Sequence, residues 1–125
     1  MLKAGDTLLL GPEDDYHLHV VLTDPNETGE LIVASVTTLQ KWTKDRTVVL
    51  KKGDHPFIQH DSVVAYSYAR IAGVAEIESL VTNKPSLARQ PVSPELLGRI
   101  RAGLLESDFT ENGVRWFYRE INQAG

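Results

Sequence analysis

The sequence predicts a mainly β fold over its first 72 residues, followed by helices. Three observations lead to this prediction. Up to Ala72 the apolar residues alternate with polar ones or form short β-branched runs, and glycine and proline separate these runs. Apolar residues at helical spacing occur only after Gly73. The chain of 125 residues is long enough to bury a core of its own, so we expect one domain over 1–125.

Each predicted strand is bounded by turn residues. The first ends at Gly11-Pro12, because proline removes a backbone donor from the sheet. In the second, His17 and His19 face the side opposite Leu18. The composition of 24–29 predicts a turn, and the strand after it is nearly apolar throughout, which is typical of the centre of a sheet. The predicted strands span 6–10, 17–23, 30–38, 46–50, 62–66 and 69–72.

Two helices and an apolar tail are predicted behind the strands. Apolar spacing indicates a short helix over 74–81, and residues 83–92, with two prolines and no periodicity, are expected to form a linker. Ser93-Pro94-Glu95 provides a capping hydroxyl, a proline at the first helical position and an acid in the first turn, which predicts a helix over 94–106. The tail is expected to dock on the core or on a second copy through Phe109, Val114, Trp116, Phe117 and Tyr118.

Composition and charge exclude several classes of protein. The absence of cysteine excludes disulfides and thiolate metal sites. No signal segment or long apolar run is visible, so we expect a cytoplasmic protein that does not enter a membrane. The net charge of −4 argues against a general nucleic-acid coat. The charge is uneven, because residues 1–30 contain one lysine and seven acids, whereas 39–52, the basic strip, contain five basic residues and one acid.

Four histidines lie within residues 17–60, in two pairs. His17 and His19 share one strand face, and His55 and His60 belong to a turn-rich loop that follows the basic strip. One interpretation is a metal site held by His17 and His19, because a glycine followed at the right spacing by His-x-His matches the opening of the cupin signature. The continuation of that signature is not met, since Asp24 stands where a glutamate is expected.

The second interpretation is cleavage of RNA without a metal. A 2′-hydroxyl must lose a proton to attack the neighbouring phosphorus, and the leaving 5′-oxygen must gain one. Imidazoles titrate near neutral pH, so His17, His55 and His60 are candidates for both transfers. The hydroxyls of Thr37 and Thr38, at the end of the central strand, can donate to phosphate oxygens. The basic strip is expected to hold the flanking phosphates of the RNA through Lys41, Lys44, Arg46 and Lys51.

The order of the motifs resembles the MazF/PemK-like toxins over roughly residues 5–80. Gly5-Asp6 is followed by His-Leu-His-Val-Val-Leu-Thr-Asp-Pro over 17–25 and by a strand that ends in Thr37-Thr38; Thr47-Val48-Val49-Leu50, Ser62-Val63-Val64 and Ala69-Arg70-Ile71 come after them. The resemblance implies a small SH3-like barrel over about 5–72, with one short helix and a C-terminal helix in a helical part over about 74–120. It also implies ribosome-independent endoribonuclease activity, a homodimer and an antitoxin partner.

Carried over to this chain, the catalytic threonine of the family falls on Thr37 or Thr38. The catalytic arginine of the family is not matched, because Asp14-Asp15-Tyr16 precedes the second strand. We therefore expect a histidine at 17 or 19 to act as acid or base, with the loop from His55 to His60 as a second source. No cofactor is expected for this chemistry.

A non-catalytic alternative keeps the same barrel. The acidic N-terminal segment would then repel RNA, and the apolar tail would hold a protein partner. The tail also predicts a homodimer, because its aromatic residues are too apolar for an exposed end; these are Phe109, Trp116, Phe117 and Tyr118.

Overall fold

The computed structural model describes residues 1–124 and confirms a mainly β fold. Six antiparallel strands form one curled sheet, a half-barrel, and three α-helices pack against it. No helix in this range combines the length and apolar character needed to cross a membrane. The strands are β1 (Thr7–Leu10), β2 (His17–Val21), β3 (Glu30–Thr38), β4 (Val49–Leu50), β5 (Ser62–Gly73) and β6 (Ala88–Arg89); the helices are α1 (Val74–Asn83), α2 (Pro94–Glu106) and α3 (Asn112–Ala124).

The sheet has the order β4-β5-β3-β2-β1-β6, so the nearly apolar β3 lies inside it as predicted. The two strands predicted at 62–66 and 69–72 are one strand, β5, with an irregularity in the middle. Val33 pairs with Arg70 and Ser35 with Ala65, so residues 66–69 of β5 lie opposite a single residue of β3. This bulge keeps Tyr66 and Ala69 buried while the residues between them are exposed.

Both faces of the sheet carry a core, but the two cores differ in extent. On the inner face, Ile32, Ala34 and Val36 of β3 belong to the main core, which α2 and α3 complete. On the outer face, Leu31 and Val33 belong to a smaller core that Ile77 of α1 covers. Ser35 and Thr37 continue the outer face and are only partly buried. The outer face of β3 is therefore covered over half of its length and open over the rest.

Helix α2 begins and ends where the sequence predicts. The Ser93 side chain accepts a hydrogen bond from the Leu96 amide at 3.1 Å and so caps the helix. The buried Tyr66 hydroxyl donates to the Ile100 carbonyl oxygen at 2.7 Å, which ties the bulge of β5 to α2. Burial raises the pKa of Tyr66. Arg99 donates to the Val49 carbonyl oxygen at 2.9 Å and so joins α2 to the edge strand β4.

The apolar tail folds into α3 and docks on the core of its own chain. Val114, Phe117 and Tyr118 are buried there, whereas Trp116 and Phe109 remain 64% and 44% exposed. The turn between α2 and α3 is held by one guanidinium: Arg115 donates to the carbonyl oxygens of Leu105, at 2.8 Å, Thr110, at 3.1 Å, and Ser107.

Two further predicted segments differ from the structure. The fourth strand was expected over 46–50, but only Val49–Leu50 pair with β5, because residues 40–46 fold into a loop closed by their own hydrogen bonds. The linker expected over 83–92 contains a 3₁₀ turn, Pro85–Leu87, and the two-residue strand β6. This strand forms because the edge of β1 offers unpaired backbone groups, and Thr7 also donates to the Gln90 carbonyl oxygen at 2.7 Å.

Two glycines of α2 test the contact between this helix and the sheet. A Cβ at Gly103 would overlap Tyr66 and Val48, whereas a Cβ at Gly98 would meet nothing within 4 Å. We expect Gly103→Ala to lower the free energy of unfolding by about 1–3 kcal/mol through overpacking. Gly98→Ala, the matched control, should raise it by up to about 1 kcal/mol through helix propensity. Urea unfolding measures both; equal effects would contradict this packing.

Candidate functional site

The open half of the outer sheet face forms a cleft of about 530 Å³. We call it the sheet-face cleft. Alternation along β2 and β3 brings imidazoles and hydroxyls to the same side, and β5 adds side chains from before, within and beyond its bulge. The cleft is lined by Leu10, Gly11, His17, His19, Ser35, Thr37, Ala65, Tyr68 and Arg70.

His19 is a neutral imidazole with one free nitrogen. Its Nδ1 lies 2.9 Å from the His17 carbonyl oxygen, and because a carbonyl only accepts, Nδ1 carries the proton and donates. Nε2 is then left as an acceptor. Burial lowers the pKa of His19, the hydrogen bond to the carbonyl of His17 opposes this, and the positive charge of Arg70 lowers it further. The ring is therefore suited to take a proton at neutral pH.

His17 stands between the sheet-face cleft and a second one. Its Nδ1 donates to the Val36 carbonyl oxygen over 3.3 Å, and its Nε2 lies 3.6 Å from Oδ1 of Asp15. Asp15 therefore forms an ion pair with this ring whenever the ring is protonated. Such a position is suited to a group that gives up a proton.

The second cleft, of about 300 Å³, lies on the loop side of His17. In this loop-side cleft the structure brings together four of the five predicted catalytic residues, namely His17, Thr37, Thr38 and His60. His60 comes close because Thr38 pairs with Ser62, two residues beyond it. β4 itself does not pair with β3, because β5 lies between them.

His55, the fifth predicted catalytic residue, lies elsewhere. Its side chain is buried, and its Nδ1 accepts a hydrogen bond from the Phe57 amide at 3.0 Å. Nε2 therefore carries the proton and donates to the Gln90 carbonyl oxygen. His55 lines a different cavity, of about 530 Å³, and holds its loop against the segment after β6.

The predicted RNA-binding residues of the basic strip do not line either cleft. The Arg46 guanidinium donates to the carbonyl oxygens of Gln40, at 3.0 Å, and Thr43, at 3.1 Å, so it holds its own loop. Lys51 pairs with Asp61 at 3.4 Å. Lys41 and Lys44 are exposed on the loop that follows β3.

Three residues of the sheet-face cleft with polar side chains were not predicted as site residues: Ser35, Tyr68 and Arg70. Ser35 could have been found from the alternation of β3, since it shares the face of Thr37. Arg70 faces outward opposite Val33, a pairing that depends on the bulge of β5. Arg70 is the cation that the cleft contains, and it comes from the far side of β3 rather than from the segment before β2.

The predicted metal alternative has only two imidazoles to support it. Within residues 1–124 there is no group of three or more histidine, aspartate or glutamate side chains placed to hold a metal ion. One of the two rings, His19, already uses Nδ1 for the His17 carbonyl oxygen.

The arrangement combines a neutral imidazole, a second imidazole beside a carboxylate, hydroxyls and a guanidinium on one open surface. These groups can accept a proton, donate one and stabilise a phosphoryl group. Comparison with protein-family models, with curated proteins and with solved structures finds no match for this chain.

The hydrogen bonds of His55 predict a role in stability. We expect His55→Ala to lower the free energy of unfolding by about 1–3 kcal/mol, because it leaves the Phe57 amide and the Gln90 carbonyl without their partner. His60→Ala is the matched control on the same loop, and since His60 is exposed its effect should stay within about 0.5 kcal/mol. Urea unfolding decides the matter; equal stabilities of the two variants would contradict this account of His55.

The lowered pKa of His19 predicts a pH dependence of stability. The unfolded chain, with the ordinary pKa of 6.5, binds a proton at His19 more readily than the folded chain does. The contribution of His19 to the free energy of unfolding should therefore be fully present above pH 6.5. It should be lost as the pH falls from 6.5 through the lower pKa of the folded chain. Thermal unfolding of the wild type and of His19→Gln measures the difference; parallel curves across this window would contradict a partly buried, neutral His19.

Proposed function

We propose that the protein is an endoribonuclease of the toxin type, built on an SH3-like barrel, which cleaves RNA without a metal. The observation that carries the proposal is the shared lining of the sheet-face cleft: two imidazoles, His17 and His19, with the Thr37 hydroxyl and the Arg70 guanidinium. A cation next to two groups that transfer protons matches what phosphodiester cleavage requires.

The chemistry assigns one role to each group. Nε2 of His19 takes the proton of a 2′-hydroxyl, whose oxygen attacks the adjacent phosphorus. The bond from phosphorus to the 5′-oxygen breaks, and His17 gives that oxygen its proton, so the products are a 2′,3′-cyclic phosphate and a 5′-hydroxyl. Arg70 and Thr37 donate to the phosphoryl oxygens, where negative charge accumulates. The lowered pKa of His19 and the carboxylate beside His17 support this division of roles.

The surroundings of the cleft suit a single strand of RNA. Tyr68 lines the cleft with 75% of its surface exposed, so its ring offers a face on which a base can stack. Lys41 and Lys44 are exposed on the loop a few residues beyond Thr38, and in this proposal they bind phosphates outside the cleft. The negative net charge of the protein then disfavours RNA binding elsewhere, so that RNA binds at this surface.

The order of strands and helices supports the SH3-like part of the proposal. A curled antiparallel sheet followed by a C-terminal helix is what the resemblance to MazF/PemK-like toxins implies. The missing arginine before β2 is replaced in this proposal by Arg70, which reaches the same cleft from β5. A cytoplasmic location, a homodimer and an antitoxin partner belong to the same proposal.

Cleavage of a synthetic RNA in the presence of EDTA tests the proposal. We expect the wild type to produce 2′,3′-cyclic phosphate ends, and an RNA with 2′-deoxy sugars to stay intact. His17→Ala and His19→Gln should each reduce the rate by about 10²–10⁴-fold, because each removes a group that transfers a proton. Arg70→Ala should reduce it similarly. The matched control is Arg119→Ala, which removes an exposed arginine on α3.

Two outcomes would contradict the proposal. Absence of cleavage for every RNA offered, with growth unaffected when the protein is expressed, would exclude a toxin-type nuclease. Full activity of His19→Gln together with a large loss in His60→Ala would move the reaction to the loop-side cleft and remove His19 from it. Circular dichroism of each variant shows that a loss of activity is not a loss of fold.

A further inference from the structure

A further depression lies at the far end of the β2–β3 hairpin from the histidines. One wall is the turn between β2 and β3, and the other is α3, with a volume of about 670 Å³ between them. We call it the acidic groove. It is lined by Asp24, Pro25, Asn26, Glu27, Thr28 and Glu30 of the turn and by Trp116, Phe117, Glu120 and Ile121 of α3.

The charge of this groove has one sign. Its lining contains four carboxylates, on Asp24, Glu27, Glu30 and Glu120, and no lysine, arginine or histidine. None of the four takes part in an ion pair within residues 1–124. Two of them are used inside the chain, since Asp24 accepts from the Ala4 amide and Glu30 from the Thr28 hydroxyl, both at 2.9 Å. Glu27 and Glu120 are exposed.

The apolar part of the groove is an exposed indole. Trp116 keeps 64% of its surface accessible although its neighbour Phe117 is buried in the core. An indole face attracts cations, and an arginine or lysine side chain that lies over it can place its charge among carboxylates and its methylenes against the ring.

The wall formed by the turn is held by hydrogen bonds within the turn. The Asn26 side chain accepts from the amides of Thr28, at 3.0 Å, and Glu30, at 2.8 Å. The Asn26 amide in turn donates to the Glu30 carbonyl oxygen at 2.8 Å. A wall that is already ordered adds little entropy cost to binding.

We propose that the acidic groove binds a linear segment of a partner protein that carries arginine or lysine together with aliphatic side chains. Charge complementarity and the exposed Trp116 carry this inference, which is independent of the proposed nuclease. In this proposal the acidic N-terminal segment and the apolar tail, which both line the groove, bind the same partner segment. The basic strip of a second copy fits less well, because its Arg46 and Lys51 are held by their own chain.

Tryptophan fluorescence tests the proposal with a short acetylated and amidated peptide of arginine, leucine and glycine. The chain has two tryptophans, so Trp42→Phe leaves Trp116 as the reporter. We expect saturable binding that weakens as salt is added. Glu27→Gln combined with Glu120→Gln should weaken it about tenfold or more. Asp14→Asn combined with Glu76→Gln is the matched control, since it removes the same charge from exposed positions outside the groove.

Three results would overturn the proposal. One is equal binding by the groove variant and the control variant. Another is equal binding of a peptide with glutamate in place of each arginine. The third is concentration-dependent self-association in sedimentation that the groove variant abolishes, since the occupant would then be a second copy. RNA cleavage, measured on the same variants, should be unchanged, so failure here leaves the nuclease proposal to its own test.

Discussion

The arrangement of the structure depends on the unequal packing of helices against the two faces of the sheet. Helix α1 packs on the outer sheet face only as far as Leu31 and Val33 of β3, while α2 and α3 complete the core on the inner face, which includes Ile32, Ala34 and Val36. The inner face therefore carries the larger of the two cores. The uncovered half of the outer face is free to carry polar side chains, and these are held by a rigid support.

The same arrangement separates two kinds of polar residue. His19, Thr37 and Arg70 lie on the open half, where solvent and a ligand can reach them. Tyr66, His55 and Arg115 lie at joints, where each hydroxyl, imidazole or guanidinium is used to hold neighbouring backbone. Histidine and arginine occur in both groups, so only the surroundings of these side chains tell the two uses apart.

The features that could be predicted from the sequence are mostly those that depend on interactions between residues close together in the chain. The limits of β3 and α2 were predicted correctly, because a β-branched run and a Ser-Pro-Glu cap act over a few residues. The strand β6 was not predicted, because its two residues pair only with an edge that β1 leaves open. His55 was predicted as a site residue, but its ring is buried and donates a hydrogen bond to the Gln90 carbonyl oxygen, 35 positions away along the chain. Arg70 was missed because its cross-strand neighbour follows from the bulge in β5 rather than from simple alternation.

The two edge strands of the sheet, β4 and β6, affect how the molecule can contact other molecules. Each outermost strand has only two residues, and Arg99 occupies the Val49 carbonyl oxygen on one margin while His55 occupies the Gln90 carbonyl oxygen beside the other. Edge strands this short, with nearby carbonyl oxygens already hydrogen-bonded, are poor templates for pairing with a strand of another molecule. This limits growth of the sheet into fibrils. Encounters with other molecules are thereby directed to side chains on its faces and grooves.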